Sequence, residues 1–186
     1  MASEQSQTAP EGKIAGVPYV QDSGVLSING RDVNLWGIER LAPDQQCWQA
    51  EMAWCCGEYA AMALKHFVQG RMVECEIKEP AAEGLPAFAV CTRNKGQHKT
   101  DIAEHLVSFG WALAKKDIVD NPYEEFEEDA RENKRGAWSS RFQSAQDWRD
   151  GIQRYISESN DDSAQTLEPP AEEPADVGAA AEVAEE

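Results

Sequence analysis

Five cysteines, three histidines and a pair of loop carboxylates are the residues of this chain whose chemistry reaches beyond packing. Cys47, Cys55, Cys56, Cys75 and Cys91 could bond one another or a soft metal. A structural zinc site needs four nitrogen or sulfur donors, usually as two closely spaced pairs, and these cysteines lack that spacing and have no histidine near enough in sequence to complete it. His66, His98 and His105 fall on unrelated predicted elements, so they read as surface or structural histidines, not as a proton-transfer set. Glu39 and Asp44 flank a loop and offer the hard oxygens that a weak cation site would use, although solvated loop carboxylates are the plainer reading. Among the six tryptophans, Trp48 and Trp54 lie beside the cysteines and are the ones free to be exposed as stacking surfaces. The run Glu124, Glu125, Glu127, Glu128 and Asp129 reads as a solvated helix face.

The elements that must position these residues follow from periodicity. Val25-Leu26-Ser27-Ile28 alternates with the two-residue period of a half-buried strand, and Val33 to Glu39 is a buried apolar strand; Asn29-Gly30 between them is a hairpin signal because both residues tolerate positive φ. Gly16 to Val20 forms a first strand, broken by Pro18. Arg40 to Trp48 is a loop. From Glu51 to Val68, small and apolar residues recur at helical spacing, with Gly70 as the stop. Met72 to Ile77 and Ala87 to Cys91 supply a fourth and fifth strand, which puts Cys75 and Cys91 on neighbouring strands. Asp101 caps a short helix that runs through Phe109 and ends at Gly110. Asn121-Pro122 opens a third helix that runs to about Arg135 and buries Tyr123, Phe126 and Ala130, and Trp138, Phe142 and Trp148 fold back on the core as aromatic plugs. Five short strands and three helices describe an α+β protein built on a small OB-like barrel.

Composition bounds the possible partners. Of the 34 acidic residues, ten lie from Glu158 onward with no basic residue among them, and Glu4 and Glu11 precede Lys13, which leaves 22 acids against 17 bases between. The formal charge of −17 is thus mostly a property of the ends. Neither the whole nor the middle suits a polyanion, whose affinity comes from Lys and Arg displacing condensed counterions, so nucleic acid is a disfavoured partner. Residues 1–12 and the Ala/Glu/Pro-rich 157–186 are expected to be disordered, because they cannot bury enough surface to offset their ordering entropy, and 13–156 is expected to be the folded domain. No apolar run reaches the roughly 18 residues of a membrane span. Ala2 to Pro10 resembles the polar spacer that follows a signal-peptide cleavage site, which implies a periplasmic or secreted protein; taken literally, the chain is cytoplasmic.

Several stretches, taken in order and spacing, resemble the staphylococcal nuclease (thermonuclease) family, more closely its cysteine-containing bacterial branch. They are Val33-Asn34-Leu35-Trp36-Gly37-Ile38-Glu39, Cys56-Gly57-Glu58-Tyr59-Ala60-Ala61, Val73-Glu74-Cys75, Ala89-Val90-Cys91, Leu106 to Ala114, and Arg135-Gly136-Ala137-Trp138. The resemblance spans Ile14 to Asp150. It implies a five-stranded OB-fold barrel with three helices, with Trp36, Trp111 and Trp138 in the packing. It also implies the pairs Cys47–Cys56 and Cys75–Cys91, an oxidising compartment and an unpaired Cys55; the alternative is five reduced thiols in a cytosolic core.

Family members cleave DNA and RNA phosphodiesters with Ca²⁺. Two metal-binding carboxylates, a catalytic glutamate and two arginines do the work. Here the family's Asp-Gly-Asp-Thr turn matches Asp22-Ser23-Gly24-Val25, so the second metal ligand is Gly24. The first arginine is Asn34, and the closing aspartate of that strand is Glu39. The catalytic glutamate falls in a loop two residues longer, with Asp44 in its place. The second arginine's stretch, Glu83-Gly84-Leu85-Pro86, contains no arginine. Losing one donor to a developing oxyanion costs about 10²- to 10³-fold in rate, and here several parts are missing together. The resemblance therefore implies a catalytically silent domain that expects no cofactor and acts as a binding or scaffolding module in the cell envelope. Its partner would be a protein or an oligosaccharide, since some relatives are named from exopolysaccharide (succinoglycan) gene clusters. The rival is a Ca²⁺-dependent phosphodiesterase with a rebuilt site, using Arg40 or Arg93 from a new direction. A third reading is a structural protein whose acidic tail recruits a basic partner.

Overall fold

In the computed structural model the described residues are 12–156, apart from 83–84, 97 and 153–154. The tail 157–186, the N-terminal segment before Gly12, and Glu83 and Gly84 of the stretch expected to match the second arginine lie outside them. The strands are β1 Lys13–Gly16, β2 Tyr19–Asp22, β3 Val25–Ile28, β4 Arg31–Leu35, β5 Ile38–Arg40, β6 Cys47–Gln49, β7 Met52–Trp54, β8 Val73–Glu79, β9 Ala87–Lys95, β10 His98–Asp101, β11 Ala112–Ala114, β12 Phe142–Gln143 and β13 Tyr155–Ile156. The helices are α1 Cys56–Val68, α2 Ile102–Ser108, α3 Glu124–Glu132 and α4 Ala145–Arg149, with a 3₁₀ turn over Gly136–Ser139.

The fold is α+β. Its main sheet has seven strands in the order β1-β8-β9-β4-β3-β2, with β10 added beside β9. It is mixed, because β4 runs parallel to β9 (Val33 opposite Ala87) while its other pairs are antiparallel. β1 and β2 form the two ends of this path yet are separated in the chain only by Val17 and Pro18, so the sheet must curl until its edges approach. No closed barrel is found among the described residues. The expected five-stranded OB-fold barrel with three helices is corrected to a curled seven-stranded sheet, three two-stranded sheets and four helices.

The hairpin after β3 forms as its residues dictate: Asn29 and Gly30 take φ of 52° and 76°, the positive values that match a two-residue turn to strand twist. The run expected as one strand from Val33 to Glu39 breaks at Trp36-Gly37. Gly37 adopts φ 80°, and a Cβ there would lie 2.6 Å from the Tyr123 ring, so the residue is needed both for its conformation and for a close approach. The chain then leaves the main sheet, and β5 pairs with β11. The helix expected from Glu51 opens only at Cys56, because Met52 to Trp54 hairpins back onto Cys47 to Gln49 through Ala50 at φ 53°. The expected loop Arg40 to Trp48 therefore ends in a strand.

Two apolar cores result. Alternating residues of the sheet, among them Leu26, Ile28, Val33, Leu35, Val73 and Ala89, pack against Leu64 and Val68 of α1 and Ile102, Leu106 and Val107 of α2. A second cluster gathers Leu41, Cys56, Ala60, Leu113, Ala130, Trp138 and Phe142, and Trp111 packs against both. The aromatic plugs fold back as expected at Trp138 and Phe142, whose rings meet edge to face at 5.1 Å, while Trp148 stays half-buried. The disulfides are Cys47–Cys56 and Cys75–Cys91, and Cys55 is a free, exposed thiol.

Candidate functional site

Three of the expected site positions, Asp22, Gly24 and Asn34, lie together where β2 turns into β3. Asp22 ends β2, and its Oδ1 accepts a hydrogen bond from the Gly24 amide at 2.9 Å, the short-range bond that lets an aspartate hold its own turn. Ser23 is fully buried and its hydroxyl donates to the Leu41 carbonyl at 2.6 Å, tying this turn to the chain just past β5. Gly24 lies beside β4: its carbonyl accepts from the Leu35 amide at 2.9 Å, and Asn34 stands opposite Val25 in the β3–β4 ladder. Gly24 and Asn34 are therefore neighbours.

Arg40 occupies the space above Gly24. A Cβ on Gly24 would come within 2.9 Å of Arg40 Cβ and 3.0 Å of its Cδ, so the arginine stem lies along a surface that only glycine leaves open. Its guanidinium donates to the Asp22 carboxylate. Burial, and then the positive charge of Arg149 nearby, pull the Arg40 guanidinium below its ordinary range. Because successive strand residues face opposite ways, Glu39 points away from Arg40's side. Its Oε1 accepts from the Gln146 amide of α4 at 3.3 Å. Asp44 also turns to α4, accepting from the Trp148 indole at 3.2 Å. Pro86 stands just before β9, whose Ala87 and Phe88 run beside Val33 and Asn34.

These donors do not suit Ca²⁺, which takes six to eight converging oxygens. Asp22 is committed to a backbone amide and a guanidinium, while Glu39 and Asp44 are each committed to α4. Among the described residues, no group of three or more His, Cys, Asp and Glu is placed to hold a metal ion. Arg93, the other arginine considered for a rebuilt site, is also engaged: it donates to the Phe67 carbonyl at 2.8 Å and lies over the Phe67 ring at 3.8 Å. The histidines stay apart from this region. His66 and His98 are exposed, and His105 stacks on Phe67 with ring centroids 3.6 Å apart.

The sequence reading did not single out α4 or its Gln146 and Arg149. The signal for α4 was present in Ser144-Ala145-Gln146-Asp147, since the Ser144 hydroxyl accepts from the Asp147 amide at 3.0 Å as a helix cap. Beside this helix, the rings of Trp48 and Trp148 meet at 6.2 Å, while Trp54 packs between Tyr59 and Trp111 and donates to Ser140. The buried floor is Gln45, which accepts from Ala42 N and donates to the Gln143 carbonyl at 2.6 Å. A hollow of about 490 Å³ lies on the outer face of β1, β8 and β9. Of its lining carboxylates, Glu74 pairs with Lys99 of the same hollow at 2.6 Å, and Glu76 pairs with Lys78 outside it at 2.9 Å. The expected solvated acidic face of α3 needs one correction. Glu127 is buried, because it lies one turn after Tyr123 and accepts from the Ala114 amide at 3.0 Å and from Lys116 at 2.7 Å.

The class of protein defined by this geometry is an α+β domain with a curled mixed sheet and two disulfides. No protein-family model matches the chain, and no curated protein matches it. Among the described residues, no helix is long and apolar enough to cross a membrane.

Proposed function

We propose that the chain is a catalytically silent, thermonuclease-like domain, OB-like in the curl of its sheet, that serves as a binding or scaffolding module. The observation that carries this reading is the Asp22–Arg40 pair lying on Gly24. Phosphodiester cleavage of the thermonuclease kind asks for an open, acidic metal cradle facing cations that hold the phosphate. In this chain a guanidinium fills the cradle's place and is neutralised by the one aspartate left, while Glu39 and Asp44 anchor α4. The region is organised to hold its own elements together, with a rim of tryptophan, amide and guanidinium groups that hydrogen-bond and stack. Such a rim suits a protein surface or an oligosaccharide, the latter a ligand that OB-like sheets accept besides nucleic acid. The two disulfides favour an oxidising, extracytoplasmic compartment.

The test is an incubation with single-stranded DNA and millimolar Ca²⁺, alongside a Glu39→Gln control. Both proteins are expected to leave the DNA intact. Cleavage by the native chain that disappears in Glu39→Gln would establish a rebuilt nuclease site instead.

A further inference from the structure

Helix α1 has two faces of different character. Cys56, Ala60, Leu64 and Val68 point into the protein and are buried. On the opposite side Cys55, the cap residue before the first turn, is followed by Tyr59, Met62 and His66, so that exposed side chains recur at intervals of four, three and four residues. Tyr59 is 50% and Met62 48% exposed, and Trp54 in contact with Tyr59 leads to Met52, which is 71% exposed. A spacing of four, three, four is the seam of a helix pair: side chains so placed drop into the spaces of a facing helix. In a lone surface helix this side would be polar.

The charges beside the seam specify what faces it. Glu58 and Lys65 both flank it on one side, and Ala63, small enough for close approach, lies on the other. The two charged residues are seven positions apart, about 10 Å along the axis, too far to pair within one helix. Among the described residues neither takes part in an ion pair. If a second copy of α1 is laid antiparallel across the seam, Tyr59 of one meets Met62 of the other, and Cys55 meets His66. In the same register Glu58 faces Lys65, and the two-fold axis repeats each contact. The sequence is thus complementary to itself in this one orientation.

We propose that α1 is the interface of a homodimer in which two copies of the chain pair antiparallel through Cys55, Tyr59, Met62 and His66, with Glu58–Lys65 bridges fixing the register. A single helix pair is smaller than a standard interface, so the dimer is weak, with a Kd on the order of 10–100 μM. Sedimentation velocity of the full chain up to about 1 mM, in a Cys55→Ser background that removes thiol cross-linking, should show concentration-dependent dimer. Glu58→Lys and Lys65→Glu should each raise the Kd about tenfold by turning two attractions into repulsions, and the double swap should restore it. Far-UV circular dichroism checks that these exposed substitutions leave the fold intact. A chain that stays monomeric throughout, or a double swap no tighter than the single changes, overturns the proposal. An independent check uses His66→Cys with native Cys55 and glutathione disulfide as oxidant: an interchain bond should form far faster than in the parent, whereas equal rates would refute the register.

Discussion

Among single residues, Glu127 and His105 show how burial makes a charged or titratable group structural. Glu127 is 2% exposed and holds the Ala114 amide and the Lys116 ammonium on one oxygen, while its other oxygen has no hydrogen bond and faces Arg131 at 3.6 Å. Replacing it with leucine leaves a buried N–H unpaired, a loss of about 1–3 kcal/mol. Glu127→Gln keeps a carbonyl for Ala114 and should cost about half of that. The midpoints of urea unfolding measure both. His105 is pushed down to about 4 from 6.5, first by burial against Phe67 and Phe109 and then by Arg93. A histidine depressed in the folded state binds protons later than it does in the unfolded chain. Its stabilising contribution is therefore present above pH 6.5 and is lost as pH falls from there toward 4. Between pH 7 and pH 5 the native chain should lose about 1–2 kcal/mol more unfolding free energy than His105→Phe, which keeps the ring stack and removes the proton site. Urea melts at the two pH values decide this, and parallel losses would show that the imidazole does not titrate in that window.

The elements of secondary structure divide sharply into those the sequence announced and those it concealed. The β3–β4 hairpin, α1, α2 and the alternation of β8 were legible because each rests on a local cause: two turn residues at positive φ, a helical stripe, an Asp101 side chain that accepts from Ala103 and Glu104, and a two-residue period that buries Val73 and Cys75. What could not be read depends on partners far along the chain. β5 and β11 are three residues each and alternate too briefly to stand out; they exist because Ile38–Arg40 finds Ala112–Ala114. The break at Gly37 is fixed by Tyr123 and by Asn121, whose amide donates to the Gly37 carbonyl at 2.7 Å across 84 positions. Glu127 looked like one acid among five until α3 docked. The candidate site divides in the same way. The juxtaposition of Gly24 with Asn34 follows from the hairpin register, whereas the placement of Arg40 over Gly24, and the turning of Glu39 and Asp44 toward α4, depend on how β5 leaves the main sheet. Periodicity carries no information about such long-range choices.

Taken whole, the molecule is two apolar cores, each stitched by one disulfide. Cys75–Cys91 spans β8 and β9, the strands from which the main sheet extends to β1 on one side and to β4 and β10 on the other. Cys47–Cys56 ties β6 to the first turn of α1 within the second core, near the loop held by Gln45. The cross-links join residues 9 and 16 positions apart, so restricting the unfolded chain is worth roughly 2.5 and 3 kcal/mol in the chain-entropy model. By that measure the two are nearly equal, yet they sit in different structural units and their loss should be felt in different places. Cys47→Ala/Cys56→Ala should raise amide exchange in β6, β7 and the start of α1 while leaving the β8–β9 ladder protected. Cys75→Ala/Cys91→Ala removes a link from the strands on which the others depend, and should lower protection throughout the main sheet and α2 together. Native-state hydrogen exchange resolves the two patterns, because protection reports the free energy of opening each segment and not only of unfolding the whole. If both variants lose protection uniformly, the cores open as one cooperative unit, coupled through Trp111 and α1, which touch both.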